Sequence, residues 1–189
     1  MAIEYRTRQV TVDEFFKMAE FGILGPDERV ELLDGEMVVM PPIEPRHNSV
    51  VLRMSDVFIR RLDGRALVLV QGSIHLSDVS APHPDFVVLR PMDDYYASRA
   101  AAPSDVLALI EVSDSTIAYD RGKKLRAYAR AGIVEYWIAD VRKHRIERYL
   151  EPNDLGYAKR SIYATGDVLV FDGIPGIEFK LDELLGPSA

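Results

Sequence analysis

The pattern of apolar and polar residues in the first third of the chain predicts a helix, a hairpin and a second helix. A capping box, "TVDE", opens a segment of helical spacing over residues 11–22. In "VELLDGEMVVM" two apolar runs flank Asp34-Gly35, which is a strong hairpin signal. A longer helix is predicted from about Arg46 to Leu62, because apolar residues recur there on one face.

The rest of the chain is predicted to be rich in strands. Short β-rich runs occupy residues 66–71, 85–89 and 105–112, and a helix with Gly132 as its stop covers 120–131. A second hairpin, "VEYWIAD" with "HRIERYL", weaker strands near 157–163 and 167–171, and a short helix, "LDELL", complete the order. This order indicates one mixed α/β domain over residues 1–189.

Composition and charge narrow the functional classes. The 189 residues are 48% hydrophobic and 28% charged, with no cysteine and no apolar run of the roughly 20 residues that span a bilayer. These features fit a cytoplasmic globular protein without a membrane partner. A net charge of −7 argues against indiscriminate binding to a polyanion, so contact with nucleic acid needs a local basic patch. Residues 121–145 carry eight basic and two acidic residues, and a solvated surface is the alternative interpretation of that run.

Two acidic residues end neighbouring predicted strands. Asp85 begins the strand 85–89, and Glu111 lies at the apolar end of the strand 105–112. If these consecutive strands pair antiparallel, both carboxylates lie at one end of the sheet. Alternation places Glu111 on the same face as Leu109 and Leu107.

Two close carboxylates repel each other unless a cation lies between them. Mg²⁺, or the similar Mn²⁺, suits such a site because it prefers oxygen ligands and keeps several waters. Asp85, Glu111 and the Val112 carbonyl are the predicted protein ligands, and the bound ion would activate water for phosphoryl chemistry. In the alternative interpretation Asp85 caps the turn after Pro84 and Glu111 pairs with an arginine.

Three further residues are candidates for the same site. Lys124, on the helix that follows the Glu111 strand, could orient or deprotonate the attacking water, or stabilise charge on the phosphoryl group. Glu31 could extend the acidic cluster, although an exposed edge-strand position is the favoured interpretation of the residue by itself. His47 could contact phosphate or a metal-bound water, although a histidine there is more often solvated.

Several reaction classes lack their motifs. The chain has no phosphate loop of the type G-x-x-x-x-G-K-[ST], no G-x-G-x-x-G, no H-E-x-x-H and no G-x-S-x-G. Two alternatives to a nuclease remain open: a binding or regulatory module with little catalysis, and a glycosidase with two carboxylates.

An ordered set of motifs resembles the Uma-type family of putative restriction endonucleases, within the PD-(D/E)XK nuclease superfamily. The set is "VELLDGEMVVM", then His47, "HPDFVVL", "ALIEVSDST", "DRGKKLRAY" and "AGIVEYWIAD". The likeness covers nearly the whole chain, from about residue 11 to "GIPGIEFKLDELL".

The resemblance implies a restriction-endonuclease-like core at about residues 28–150, a mixed central β-sheet flanked by helices, with an extra N-terminal helix and hairpin. It implies a Mg²⁺- or Mn²⁺-dependent endodeoxyribonuclease, a hydrolase that acts on ester bonds of DNA. Pro84-Asp85 matches the "PD" element, Glu111 the second acid and Glu31 the early glutamate of the family. Ser113 occupies the superfamily's usual lysine position, and Lys124 matches the lysine that this family carries on the next helix.

The chain departs from the family at two further positions, with Asp114 in place of the usual proline and His83 in place of a common arginine. Neither change removes a predicted ligand. Contacts to DNA phosphates are predicted for a small set of side chains, namely His47, Arg121, Lys123 and Arg126. Because one active site cuts one strand at a time, a homodimer would suit cleavage of both strands.

Overall fold

The computed structural model describes residues 7–187, which form five α-helices and ten strands. The helices are α1 (Val12–Glu20), α2 (Pro45–Leu62), α3 (Ile117–Tyr119), α4 (Leu125–Arg130) and α5 (Leu181–Leu185), with a π-helical segment, Asp120–Lys124, between α3 and α4. The strands are β1 (Val30–Leu33), β2 (Glu36–Val39), β3 (Leu67–Val70), β4 (Phe86–Leu89), β5 (Val106–Ser113), β6 (Glu135–Asp140), β7 (Arg145–Asn153), β8 (Gly156–Tyr163), β9 (Val168–Phe171) and β10 (Ile177–Lys180). No helix in this part of the chain has the length and apolarity needed to cross a bilayer.

A six-stranded sheet in the order β3-β4-β5-β6-β7-β8 forms the centre of the domain. Only the β5–β6 pair is parallel, and the helical segment from α3 to α4 makes its crossover connection. The fold is therefore the mixed α/β architecture that the sequence predicts, with a mixed central sheet between helices.

Each face of the sheet has its own core. On one face α2, α5 and the β9–β10 hairpin bury Phe58, Trp137 and Phe179 against the strands. On the other face α4 packs Tyr128 against Ile138 and Tyr136. Trp137 is 1% exposed and therefore belongs to the core.

Most predicted elements are confirmed, including the capping box of α1, the β1–β2 hairpin and the long helix α2. Three details differ. The sequence reading missed β10, and the helix predicted at 120–131 begins earlier, at Ile117, and contains a π-helical turn. A β-bulge opposite Val88 and Leu89 shifts the register of β5, so Leu107 packs in the core with Phe86 while Leu109 packs on the opposite face. The prediction that Leu107 shares the face of Glu111 is therefore wrong.

Candidate active site

Asp85 and Glu111 lie side by side at one end of the sheet. β4 and β5 pair antiparallel with Phe86 opposite Ile110, so the next position in the register sets Asp85 against Glu111. The Val112 N–H donates to Asp85 Oδ2 at 2.8 Å. Both acids are buried, at 8% and 4% exposure. The antiparallel pairing expected from the sequence is confirmed, and it brings together two carboxylates that are far apart in the chain.

The backbone of Val112 also faces this pair of acids. In an antiparallel ladder, the N–H and C=O of one residue point to the same neighbouring strand. Because the Val112 N–H points to Asp85, the Val112 carbonyl oxygen also points toward Asp85 and the β4 side of the strand. The site therefore offers one backbone oxygen beside two carboxylates.

Lys124 closes the site from the buried side. Its Nζ lies 3.0 Å from Glu111 Oε1 and 3.2 Å from Glu31 Oε2, and the residue is only 1% exposed. Burial by itself lowers the pKa of Lys124, but the charges of Glu111 and Glu31 outweigh burial and raise that pKa above its usual value. The amine is thus held as an ammonium.

The helical region from α3 to α4, with the π-helical segment at its centre, presents a row of polar side chains to the site: Thr116, Asp120, Lys124 and Tyr128. In an α-helix each four-residue step overshoots one turn by about 40°. The wider π-helical turn, closed by bonds from i to i+5, reduces that overshoot. Thr116 Oγ1 donates to Asp120 Oδ2 at 2.7 Å, and Tyr128 OH donates to Glu111 Oε1 at 2.6 Å. This helical region therefore brings four residues, each about one turn after the last, to one site.

Glu31 reaches the site from the β1–β2 hairpin. Leu32 bridges to Ala81, which fixes the hairpin to the segment before β4. Glu31 is 0% exposed, and its Oε2 accepts the His83 backbone N–H at 3.1 Å. The interpretation of Glu31 as an exposed edge residue is therefore wrong. Its Oε1 is buried and has no hydrogen-bond partner among residues 7–187.

Asp85 is oriented by side chains on either side. His47 Nε2, at the start of α2, lies 3.1 Å from Asp85 Oδ2, and Gln71 Nε2 donates to Asp85 Oδ1 at 3.3 Å. These contacts hold the carboxylate toward a cleft that Asp85, Glu111 and Lys124 line together. The segment from Met40 to Glu44 forms another wall of this cleft.

Negative groups outnumber positive ones in the buried part of the site. Burial raises the pKa of the Glu111 carboxyl well above its ordinary value, and Asp120, Asp85 and Glu31 push it the same way against the opposing effect of Lys124. Burial also raises the pKa of Asp120. Lys124 supplies a positive charge among these acids, through its ion pairs with Glu31 and Glu111. A further positive charge would relieve this imbalance.

The raised pKa of Glu111 makes the stability of the fold depend on pH. Between about pH 4.3, where an unfolded glutamate titrates, and the higher pKa of folded Glu111, the folded state holds a proton that the unfolded state has lost. The stabilisation is complete below that window and disappears as the pH rises through the folded pKa. We expect the free energy of unfolding of the metal-free protein to fall with rising pH across this window. Urea denaturation at several pH values measures it.

Glu111→Gln is the control for this pH dependence, because it removes the titrating group and keeps the acceptor oxygen. The variant should show a shallower slope of stability against pH. An unchanged slope would mean that Glu111 does not titrate differently in the folded and unfolded states.

The donor set fits a hard divalent cation with few protein ligands. The cleft has a volume of about 50 Å³, and a site needs only about 10–15 Å³ on the same measure to hold one water, so an ion with several waters fits. Within residues 7–187 no three histidine, cysteine, aspartate or glutamate side chains converge as a metal site. Mg²⁺ commonly binds one or two carboxylates and keeps several waters. Two acids and one carbonyl match that coordination pattern. The Glu31 oxygen without a partner could accept a hydrogen bond from a water on the ion.

Many basic residues of the run 121–145 form ion pairs with acidic residues in the structure. Arg121 pairs with Glu147 and Asp140, and Lys123 with Glu36. The other pairs join Arg130 to Asp34, Arg142 to Asp114, and Arg145 to Asp140 and Glu147. Of the side chains predicted to contact phosphate, Arg121 and Lys123 are thus engaged in ion pairs and His47 lies against Asp85. Arg126 has no ion pair within the described chain.

Sequence reasoning missed several residues of the site. The sequence predicts no role in the site for Tyr128, His83, Asp120 or Tyr119, yet all four contact its residues. The Lys124 Nζ lies 5.6 Å from the centre of the Tyr119 ring. A usable signal existed for two of them, because Asp120, Lys124 and Tyr128 are spaced four residues apart and such residues share a helix face.

Comparison with known proteins gives a family and a fold. The family model Uma2, described as "Putative restriction endonuclease", matches residues 12–182. An uncharacterized protein of Synechocystis sp., slr1290, is 28% identical over 160 residues, which is 82% of each chain.

A solved structure shares the fold. The crystal structure of a putative nuclease belonging to DUF820 from Anabaena variabilis matches with a TM-score of 0.70 and 14% sequence identity. The match covers 93% of this chain and 97% of the other.

Proposed function

Because the chain belongs to the Uma2 family of putative restriction endonucleases, we propose that it is an endonuclease that hydrolyses phosphodiester bonds of DNA with Mg²⁺ or Mn²⁺. One observation carries the proposal: Asp85 and Glu111 are neighbours across β4 and β5, and Lys124 lies 3.0 Å from Glu111. Two carboxylates with an adjacent buried ammonium are suited to phosphoryl transfer, in which charge develops on the phosphoryl oxygens.

Asp85, Glu111 and the Val112 carbonyl are the ligands in this proposal. When bound, the ion supplies a Lewis acid that activates water and neutralises charge on the phosphoryl group. His47 and Gln71 hold the Asp85 carboxylate in place through contacts of 3.1 and 3.3 Å. Lys124 and Tyr128 both bond Oε1 of Glu111, which leaves Oε2 outside both bonds.

Lys124 acts in this scheme as a cation. Its raised pKa disfavours the role of a general base, because an ammonium at neutral pH has no free electron pair. Two of the three roles considered for it remain, namely orientation of the attacking water and stabilisation of developing negative charge. Glu31 forms a second ion pair with the Lys124 ammonium, at 3.2 Å, and so helps to stabilise it.

The bond from Tyr128 to Glu111 gives a prediction about metal affinity. In Tyr128→Phe the loss of the donor at 2.6 Å leaves Glu111 less well oriented. We expect Mn²⁺ to bind about 10–100-fold more weakly, the usual cost of removing a group that orients a ligand. Calorimetric titration of Mn²⁺ measures the change.

Tyr157→Phe is the matched control, because it removes a hydroxyl that donates to the Ile133 carbonyl and touches none of the acids. This variant should keep the wild-type Mn²⁺ affinity. An equal loss in both variants would mean that Tyr128 acts through general packing.

The proposed activity is tested by incubating supercoiled and linear DNA with Mg²⁺, Mn²⁺ or a chelator. The wild-type protein should cleave only with metal, and both Asp85→Ala and Lys124→Met should be inactive. If all three proteins behave alike under every condition, the chain is a nuclease-fold module without this catalysis. Cleavage of both strands would use two copies, since one site cuts one strand at a time.

A further inference from the structure

Three arginines of α2 share one exposed side of the helix. Arg46, Arg53 and Arg60 are exposed and separated by seven residues. Seven residues are nearly two turns, so the side chains drift by only about 20° per step. With a rise of 1.5 Å per residue, the stripe is about 21 Å long. We call these three residues the α2 arginine stripe.

The α2 arginine stripe starts at the mouth of the candidate active site. The cleft at Asp85 shares Pro42 and Glu44 with a shallow depression that contains Arg46. That depression shares Pro45 with the next one along α2, which reaches Arg53. The last depression shares Arg53 and contains Arg60 and Arg61. A continuous surface groove therefore leads from the acidic site along the helix.

The groove also contains acids, and most of its arginines pair with them. Arg60 pairs with Asp56 at 2.5 Å, and Arg61 with Glu183 at 2.7 Å. Arg142 pairs with Asp114 at 2.6 Å, and Glu44 lines the mouth. Between Thr7 and Pro187, no ion pair engages Arg46 or Arg53. These two cations lie closer to the site along the groove than Arg60 does.

We propose that the α2 arginine stripe holds the phosphate backbone of a DNA duplex while one strand lies in the active site. The inference rests on the proposed function, since it extends the path of the same substrate. One strand of a duplex advances 3.4 Å per nucleotide. The roughly 10.5 Å between successive arginines therefore matches about three nucleotides. A guanidinium is also well suited to bind phosphate through two parallel hydrogen bonds.

The salt dependence of DNA binding tests this stripe. The triple variant Arg46→Gln, Arg53→Gln, Arg60→Gln and the wild type are titrated with a fluorescent duplex in chelator, so that cleavage does not interfere. Each lost phosphate contact lowers the slope of log affinity against log salt by about 0.9. We expect the triple variant to lose about 1.8 of the slope if Arg60 stays paired with Asp56 and about 2.7 if Arg60 also binds phosphate.

The control is a second triple variant, Arg8→Gln, Arg99→Gln, Lys159→Gln, which removes the same charge from cations paired with acids elsewhere. It should keep the wild-type slope. Equal losses in both variants, an unchanged slope in the stripe variant, or a wild type without salt-dependent binding would each overturn the proposal.

Two further readouts separate the possible failures. Metal-dependent cleavage is measured on the same proteins: a wild type that binds with the expected slope but never cleaves contradicts the proposed function and leaves the stripe standing.

Leu52 and Ile59 are exposed on α2, at 73% and 66%. If sedimentation shows that the stripe variant changes oligomeric state while its salt slope stays the same, this face is a subunit contact and the proposal fails.

Discussion

Replacing Lys124 with alanine is expected to lower the free energy of unfolding by about 3–5 kcal/mol and to abolish cleavage of DNA. The ammonium is 1% exposed and bonds both Glu111 and Glu31, so its removal leaves buried carboxylates without their counter-charge. Proton uptake by Glu111 relieves part of this cost at low pH, because burial raises the pKa of that carboxyl. Urea denaturation over a range of pH should therefore show a loss of stability that grows as the pH rises.

Lys123→Ala is the matched control, because it changes the neighbouring lysine. Lys123 is about half exposed and pairs with Glu36 at the surface. Its loss should cost no more than about 1 kcal/mol and leave cleavage intact. Lys124→Met keeps most of the packing volume, so it separates the loss of charge from the loss of the fold. Equal stability of the two alanine variants would contradict the buried ion pairs.

Asp85→Asn is expected to reduce the cleavage rate by about 10³-fold without lowering stability. A bound metal supplies several kcal/mol of transition-state stabilisation, and each 1.36 kcal/mol is a factor of ten in rate. The amide keeps the shape of the side chain and an oxygen for the Val112 N–H. It also removes one of the buried negative charges, so the metal-free protein should be as stable as the wild type or more so. The rate is measured on plasmid DNA under saturating Mn²⁺, and the stability by urea denaturation.

Asp114→Asn is the control for Asp85→Asn. Asp114 lines the same cleft but pairs with Arg142 at 2.6 Å. It makes the same change of charge at the mouth of the site, and it should retain cleavage. If both variants lose activity equally, the loss in Asp85→Asn comes from the changed charge of the cleft. The assignment of Asp85 as a metal ligand is then wrong.

Local signals in the sequence were sufficient for most of the fold. The capping box of α1, the Asp34-Gly35 turn and the apolar stripe of α2 each depend on residues that are close in the chain. The two acids could be placed together because consecutive antiparallel strands leave few arrangements of their ends.

The errors concern features that depend on contacts between distant segments. Glu31 is buried because its hairpin bridges to Ala81 and its carboxylate accepts the His83 N–H, which no pattern within "VELLDGE" reveals. The bulge at Leu107 breaks the alternation within β5. The basic run looked available for DNA because its partners, such as Glu36 and Glu147, belong to other elements.

The most direct test of the central idea is a calorimetric titration of Mn²⁺ into the wild-type protein and into Asp85→Asn and Glu111→Gln. We expect a single site in the wild type, with binding lost or strongly weakened in each variant, because the two acids face the same cleft from adjacent strands. If the wild type binds no divalent ion, or if the variants bind it as the wild type does, Asp85 and Glu111 are not the ligands of a shared metal site.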